Sequence, residues 1–152
     1  MLNRLAGGVA ALDGWRAYGL AALLGLVAAG ALPPLYAVPL LVPAFCGWVW
    51  LLEGAQRVRQ VFFLTLVFST VYFLAGLYWI GIAMTVDLAK FGWFMPIAVG
   101  GLSVLLSLFH AGMVGVAWVL GFRLQYGALS RILLYALAWL IAEWLRLSLI
   151  HI

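Results

Sequence analysis

Charge is what this sequence has least of. Only 8% of its 152 residues are Asp, Glu, Lys or Arg, against about a quarter in a typical soluble domain. So little charge cannot cover a water-facing surface. The eight Lys and Arg stand singly or as one close pair, so no basic stripe follows a phosphate backbone, which argues against nucleic-acid binding. A single cysteine, Cys46, excludes an internal disulfide and any multi-cysteine metal site. With only His110 and His151 besides, no zinc constellation can be built from ligand spacing. No repeat, low-complexity tract or soluble domain is visible. The N-terminus lacks the short apolar core and small-residue cleavage site of a removable signal, so the first apolar run is expected to be retained.

What is present is apolar: 68% of the chain. The expected fold class is an all-α membrane protein, a polytopic bundle of about five transmembrane helices with a cytoplasmic N-terminus. Residues 1–16 are expected to form a cytoplasmic or interfacial segment, and 17–146 the transmembrane helical domain. The spans are placed at about 17–32, 38–52, 62–84, 93–122 and 132–146. Pro33 and Pro34 end the first, because proline lacks an amide donor and restricts the residue before it. Pro39 and Pro43 fall in the second, the latter tolerable there as a kink. Gly112 and Gly115 offer the fourth a close helix contact. The polar stretches 53–60, 85–92 and 123–131 are read as loops, and 147–152 as an anomalous, truncated tail.

Orientation follows from the basic residues. With the N-terminus inside, Arg4, Arg16, Arg57, Arg59, Arg123 and Arg131 fall in the cytoplasm, and only Lys90 and Arg146 outside. That is a positive-inside bias. It directs Gly76-Leu77-Tyr78-Trp79-Ile80-Gly81 toward the outer interface.

Few groups here can do chemistry. Cys46 has no His, Lys or carboxylate near it in sequence to lower its thiol pKa, so it reads as a small buried hydrophobe. His110, mid-span, shows no partner for a relay and reads as a neutral, hydrogen-bonded helix contact. Glu143 and Arg146, three apart on one helix, are either two snorkelling charges or a structural ion pair. Asp87 and Lys90 read as a solvated loop pair. Tyr78 and Trp79 are either an aromatic belt or the lining of an opening through which a lipid chain enters. No catalytic, cofactor-binding or metal residue is assigned.

The order of features resembles one family. The Ala/Gly-rich span ending in Gly30-Ala31-Leu32-Pro33-Pro34, the short second span with its basic loop, Gly76-Leu77-Tyr78-Trp79-Ile80 after a Phe-rich helix, and Trp139 with Glu143-Trp144-Leu145-Arg146 are together similar to the N-terminal membrane region of bacterial apolipoprotein N-acyltransferases. The resemblance covers Ala17 to Arg146 and departs from the family after it. It implies a multi-pass protein of the bacterial cytoplasmic (inner) membrane. The implied reaction moves an acyl chain from a membrane phospholipid, the donor, to the N-terminal diacylglyceryl cysteine of an apolipoprotein, the acceptor. In that family a periplasmic nitrilase-like domain carries a Glu-Lys-Cys triad whose cysteine forms a thioester. No residue of this sequence transfers onto the triad, so the resemblance implies a fragment inactive alone. The competing expectation is a small polytopic protein serving as a transporter half or an assembly partner.

Overall fold

The computed structural model describes residues 2–79, 82 and 92–150. Among them the regular structure is all helix, with six helices α1 Leu2–Ala10, α2 Trp15–Ala29, α3 Leu41–Gly54, α4 Val58–Gly76, α5 Met95–Arg123 and α6 Ala128–Ile150, and a 3-10 turn Val38–Leu40 before α3. Three stretches are long and apolar enough to cross a membrane: Val58–Gly76, Met95–Arg123 and Ala128–Ser148. At about 1.5 Å rise per residue, even the shortest spans about 28 Å, close to a hydrocarbon core of roughly 30 Å. The other two expected spans form the shorter apolar helices Trp15–Ala29 and Val38–Gly54.

Several boundaries move for local reasons. Pro43 lies in the first turn of α3, where its missing N–H is one of the donors a helix leaves unpaired, so no kink is needed. Within the run expected at 62–84, α4 ends at Gly76 and the chain bends at Leu77; Tyr78, Trp79 and Ile82 are again helical, and 80, 81, 83 and 84 lie outside the described residues. Between α5 and α6 only 124–127 are non-helical, so Ser130 and Arg131 belong to α6 rather than to a loop. Asp87, Lys90 and His151 lie outside the described residues.

α4 is the centre of the bundle, with α2 and α5 against it; α6 packs on α5, and α3 on α2. Where α2 crosses α4 the backbones meet: a Cβ on Gly25 would collide with the carbonyl of Phe68. That is the close contact small residues permit between membrane helices. The expected contact at Gly112 and Gly115 is not of this kind. Nothing lies within 4 Å of a Cβ on Gly112, and one on Gly115 would meet the Val58 side chain at an ordinary 3.7 Å. Three buried serines are satisfied within their own helices: Ser69 donates to the Thr65 carbonyl at 2.6 Å, Ser103 to Val99 at 2.7 Å and Ser107 to Ser103 at 2.7 Å. This back-bonding spares the serine protons an apolar interior, while the buried Thr65 hydroxyl has no such partner.

The core is aromatic, and Trp139 is its hub. Its ring meets Phe45 edge-on at 5.0 Å, Trp48 at 5.5 Å, Phe68 at 5.7 Å and His110 at 4.5 Å. Such edge-to-face pairs add about 0.5–1.5 kcal/mol each beyond burial. The cluster joins α3, α4, α5 and α6 through one side chain.

Candidate functional site

Two polar networks interrupt the apolar bundle, one near each end of α6. Near its start, Glu53 from the end of α3 is clasped by Arg131 and Tyr135. Arg131 Nε donates to Glu53 Oε1 at 3.2 Å and its Nη2 to Oε2, while the buried Tyr135 hydroxyl donates to Oε1 at 3.0 Å. The guanidinium also donates to the Tyr126 carbonyl at 3.3 Å and lies over the Phe122 ring at 4.7 Å. This two-pronged carboxylate clasp fixes both distance and angle between α3 and α6. It reads as a fastener.

The second network lies toward the other end of α6 and joins the residues nominated from sequence. Glu143 Oε2 accepts from Arg146 Nε at 2.7 Å and lies 2.6 Å from Arg146 Nη2, one helical turn along. The structural ion pair is therefore formed. Glu143 Oε1 turns the other way, toward α5, where it lies 3.3 Å from Nε2 of the fully buried His110. The approach is too oblique for a hydrogen bond. His110 Nδ1 is 3.0 Å from the Leu106 carbonyl, and since a carbonyl only accepts, that nitrogen carries a proton. His110 thus has a carboxylate neighbour that sequence reading did not find, and it comes from another helix. Its ring is packed between Trp139 and, at 5.1 Å, Phe73.

Arg146 also lines a cavity of about 460 Å³, whose wall includes Leu32, Tyr72, Phe73, Tyr78 and Trp79. The guanidinium lies 5.9 Å from the Phe73 ring. Tyr78 and Trp79 are exposed, 45% and 58%, just past the bend that ends α4. Both readings of these aromatics thus have a physical basis: they stand at the edge of the bundle, and they line a hollow. What the sequence could not indicate is that Arg146 and the aromatic pair line one cavity.

Cys46 departs from expectation. It is exposed and lines a separate apolar groove of about 490 Å³ with Phe45, Trp50, Ile132 and Leu140. A thiol on an apolar helix can face outward as readily as inward when both sides are apolar. No titratable side chain other than the thiol lines that groove, so nothing there would generate a thiolate.

Comparisons with known proteins give the family. Residues 24–151 match the apolipoprotein N-acyltransferase N-terminal domain. The apolipoprotein N-acyltransferase of Allorhizobium ampelinum is 36% identical over 95% of this chain, that of Brucella melitensis 37% over 96%, and that of Rhodopseudomonas palustris 36% over 96%. The chain spans only 28%, 28% and 27% of those proteins. No solved structure matches it. By the extent of the domain match and by these relatives, this chain belongs to the family of apolipoprotein N-acyltransferase N-terminal domains.

Proposed function

We propose that this chain is the inner-membrane, multi-pass part of an enzyme that transfers an acyl chain from a phospholipid to the N-terminal diacylglyceryl cysteine of a lipoprotein. The part described here supplies the opening through which lipid substrates reach the catalytic centre, not the centre itself. The observation that carries this reading is the shared cavity of Tyr78, Trp79 and Arg146, placed at the end of α4 where a bend ends the helix. Among the described residues no nucleophile is paired with a base: Cys46 faces an apolar groove, and Glu53 and Glu143 are engaged with arginines. Acyl transfer at the membrane edge has a physical rationale, since withdrawing a chain into water costs about 0.8 kcal/mol per methylene. The Arg-rich helix ends, with Arg16, Arg57, Arg123 and Arg131, lie at the cytoplasmic face in this reading, which directs the cavity outward.

The test is a chimera in which this chain replaces the corresponding N-terminal part of the Brucella melitensis relative, in cells depleted of their own enzyme. Mass spectrometry of a lipoprotein's N-terminal peptide reads the third acyl chain, and immunoblotting reads chimera abundance. Trp79→Ala is expected to lower acylation more than abundance. Equal losses would leave Trp79 an anchor only, and an inserted chimera that never acylates would overturn the reading.

A further inference from the structure

Arg146 uses only part of its hydrogen-bonding capacity. A guanidinium has five N–H donors, and the contacts of Nε and Nη2 fall on a single oxygen, Glu143 Oε2. That leaves three N–H groups without an acceptor among the described residues, on a side chain only 25% exposed. Glu143 therefore orients the guanidinium without saturating it, while the other carboxylate oxygen is turned to His110. The hydroxyl-bearing Tyr72 and Tyr78 belong to the same wall.

A second cavity of about 480 Å³ lies across Tyr78, with Leu26, Ala29, Pro34, Leu35 and Ala75 in its wall. The two hollows share Leu32, Pro33 and Tyr78. A compartment with a cation and phenols thus adjoins one made of aliphatic side chains, with one tyrosine between them. This is the pattern of an amphiphile with an anionic head.

We propose that Arg146 takes the phosphodiester of a glycerophospholipid in the Tyr78–Trp79 cavity, with an acyl chain lying across Tyr78 in the apolar cavity beside it. The proposal rests on reading that cavity as a lipid opening and adds the chemistry it recognises. A planar guanidinium presents paired N–H groups to two phosphate oxygens, which a lysine ammonium does not. Glu143 is a positioning residue that sets the plane of the guanidinium, and the buried His110 ring packs beside its other oxygen.

The experiment titrates the detergent-purified protein with spin-labelled phosphatidylglycerol and, separately, with spin-labelled diacylglycerol of identical chains. The wild type is expected to hold phosphatidylglycerol about tenfold more tightly, the scale of a charge-assisted hydrogen-bonding contact. Arg146→Gln is expected to abolish that difference with diacylglycerol binding unchanged, and Trp79→Ala to weaken both lipids. Equal wild-type binding of the two lipids, or full phosphatidylglycerol binding by a folded Arg146→Gln, overturns the phosphate assignment. If Trp79→Ala still weakens both in that case, the lipid opening survives it; if Trp79→Ala changes neither, the opening falls too. Should Arg146→Gln not fold, the wild-type comparison decides alone, and Arg146→Lys is expected to lose part of the preference.

Discussion

His110 on α5 lies 3.3 Å from the carboxylate of Glu143 on α6, whose second oxygen accepts from Arg146 at 2.7 Å. A buried imidazole, a half-buried carboxylate and the guanidinium of a cavity-lining arginine thus stand in one row across two helices. Its middle member is hydrogen-bonded to Arg146 and only packs against His110, so its removal falls chiefly on the guanidinium.

Glu143→Gln and Arg146→Gln should therefore be coupled. Each alone is expected to lower stability in detergent by about 1–3 kcal/mol, because the partner is left without its counter-charge. The double variant should cost little more than the worse single one. Thermal unfolding of the four proteins measures this. Additive losses would mean two separately solvated charges.

The fastener at the opposite end makes a graded prediction. Tyr135→Phe removes one interhelical hydrogen bond to Glu53 and should cost about 0.6–1.7 kcal/mol. Arg131→Ala removes the two-pronged clasp and the stacking over Phe122, and should cost more. The same unfolding assay orders them; a reversed order would contradict the clasp.

Glycines separate packing from mere presence. Gly25→Ala places a methyl on the Phe68 carbonyl and should force α2 from α4, lowering the melting temperature markedly. Gly112→Ala meets open space and should be neutral or slightly stabilising, by up to about 1 kcal/mol of helix propensity. Equal effects would refute the assigned helix crossing.

Cys46 should react with N-ethylmaleimide in the folded, detergent-solubilised protein, as its exposure requires. Cys46→Ala should alter stability by no more than about 0.5 kcal/mol. Labelling seen only after denaturation would return the thiol to the interior.

These contrasts show what the sequence could carry. Apolar runs bounded by Pro33-Pro34 and by Arg-bearing stretches mark helices, because length and hydropathy are properties of a segment taken alone. Glu143 and Arg146 could be paired from their spacing, since three residues make nearly one helical turn. Facing was not legible. A soluble helix shows its inner side by an apolar stripe, but a helix apolar on all sides gives no such sign for Cys46, Gly112 or Gly25. Pairings across helices were likewise silent: Glu53 and Arg131 are 78 positions apart, and His110 meets Glu143 only after α5 and α6 pack. The end of α4 at Gly76 was hidden because apolar residues continue past it.

The most direct test of the account is where a phospholipid touches the protein. Phosphatidylglycerol with a diazirine at the head of one acyl chain, photolysed with the protein in nanodiscs and mapped by peptide mass spectrometry, reads this at residue level. Adducts should concentrate at Leu32, Leu77, Tyr78 and Trp79 and fall sharply in Arg146→Gln. Adducts spread evenly over outward-facing positions such as Leu23, Leu105 and Leu133, unchanged by that substitution, would contradict a lipid site in this cavity.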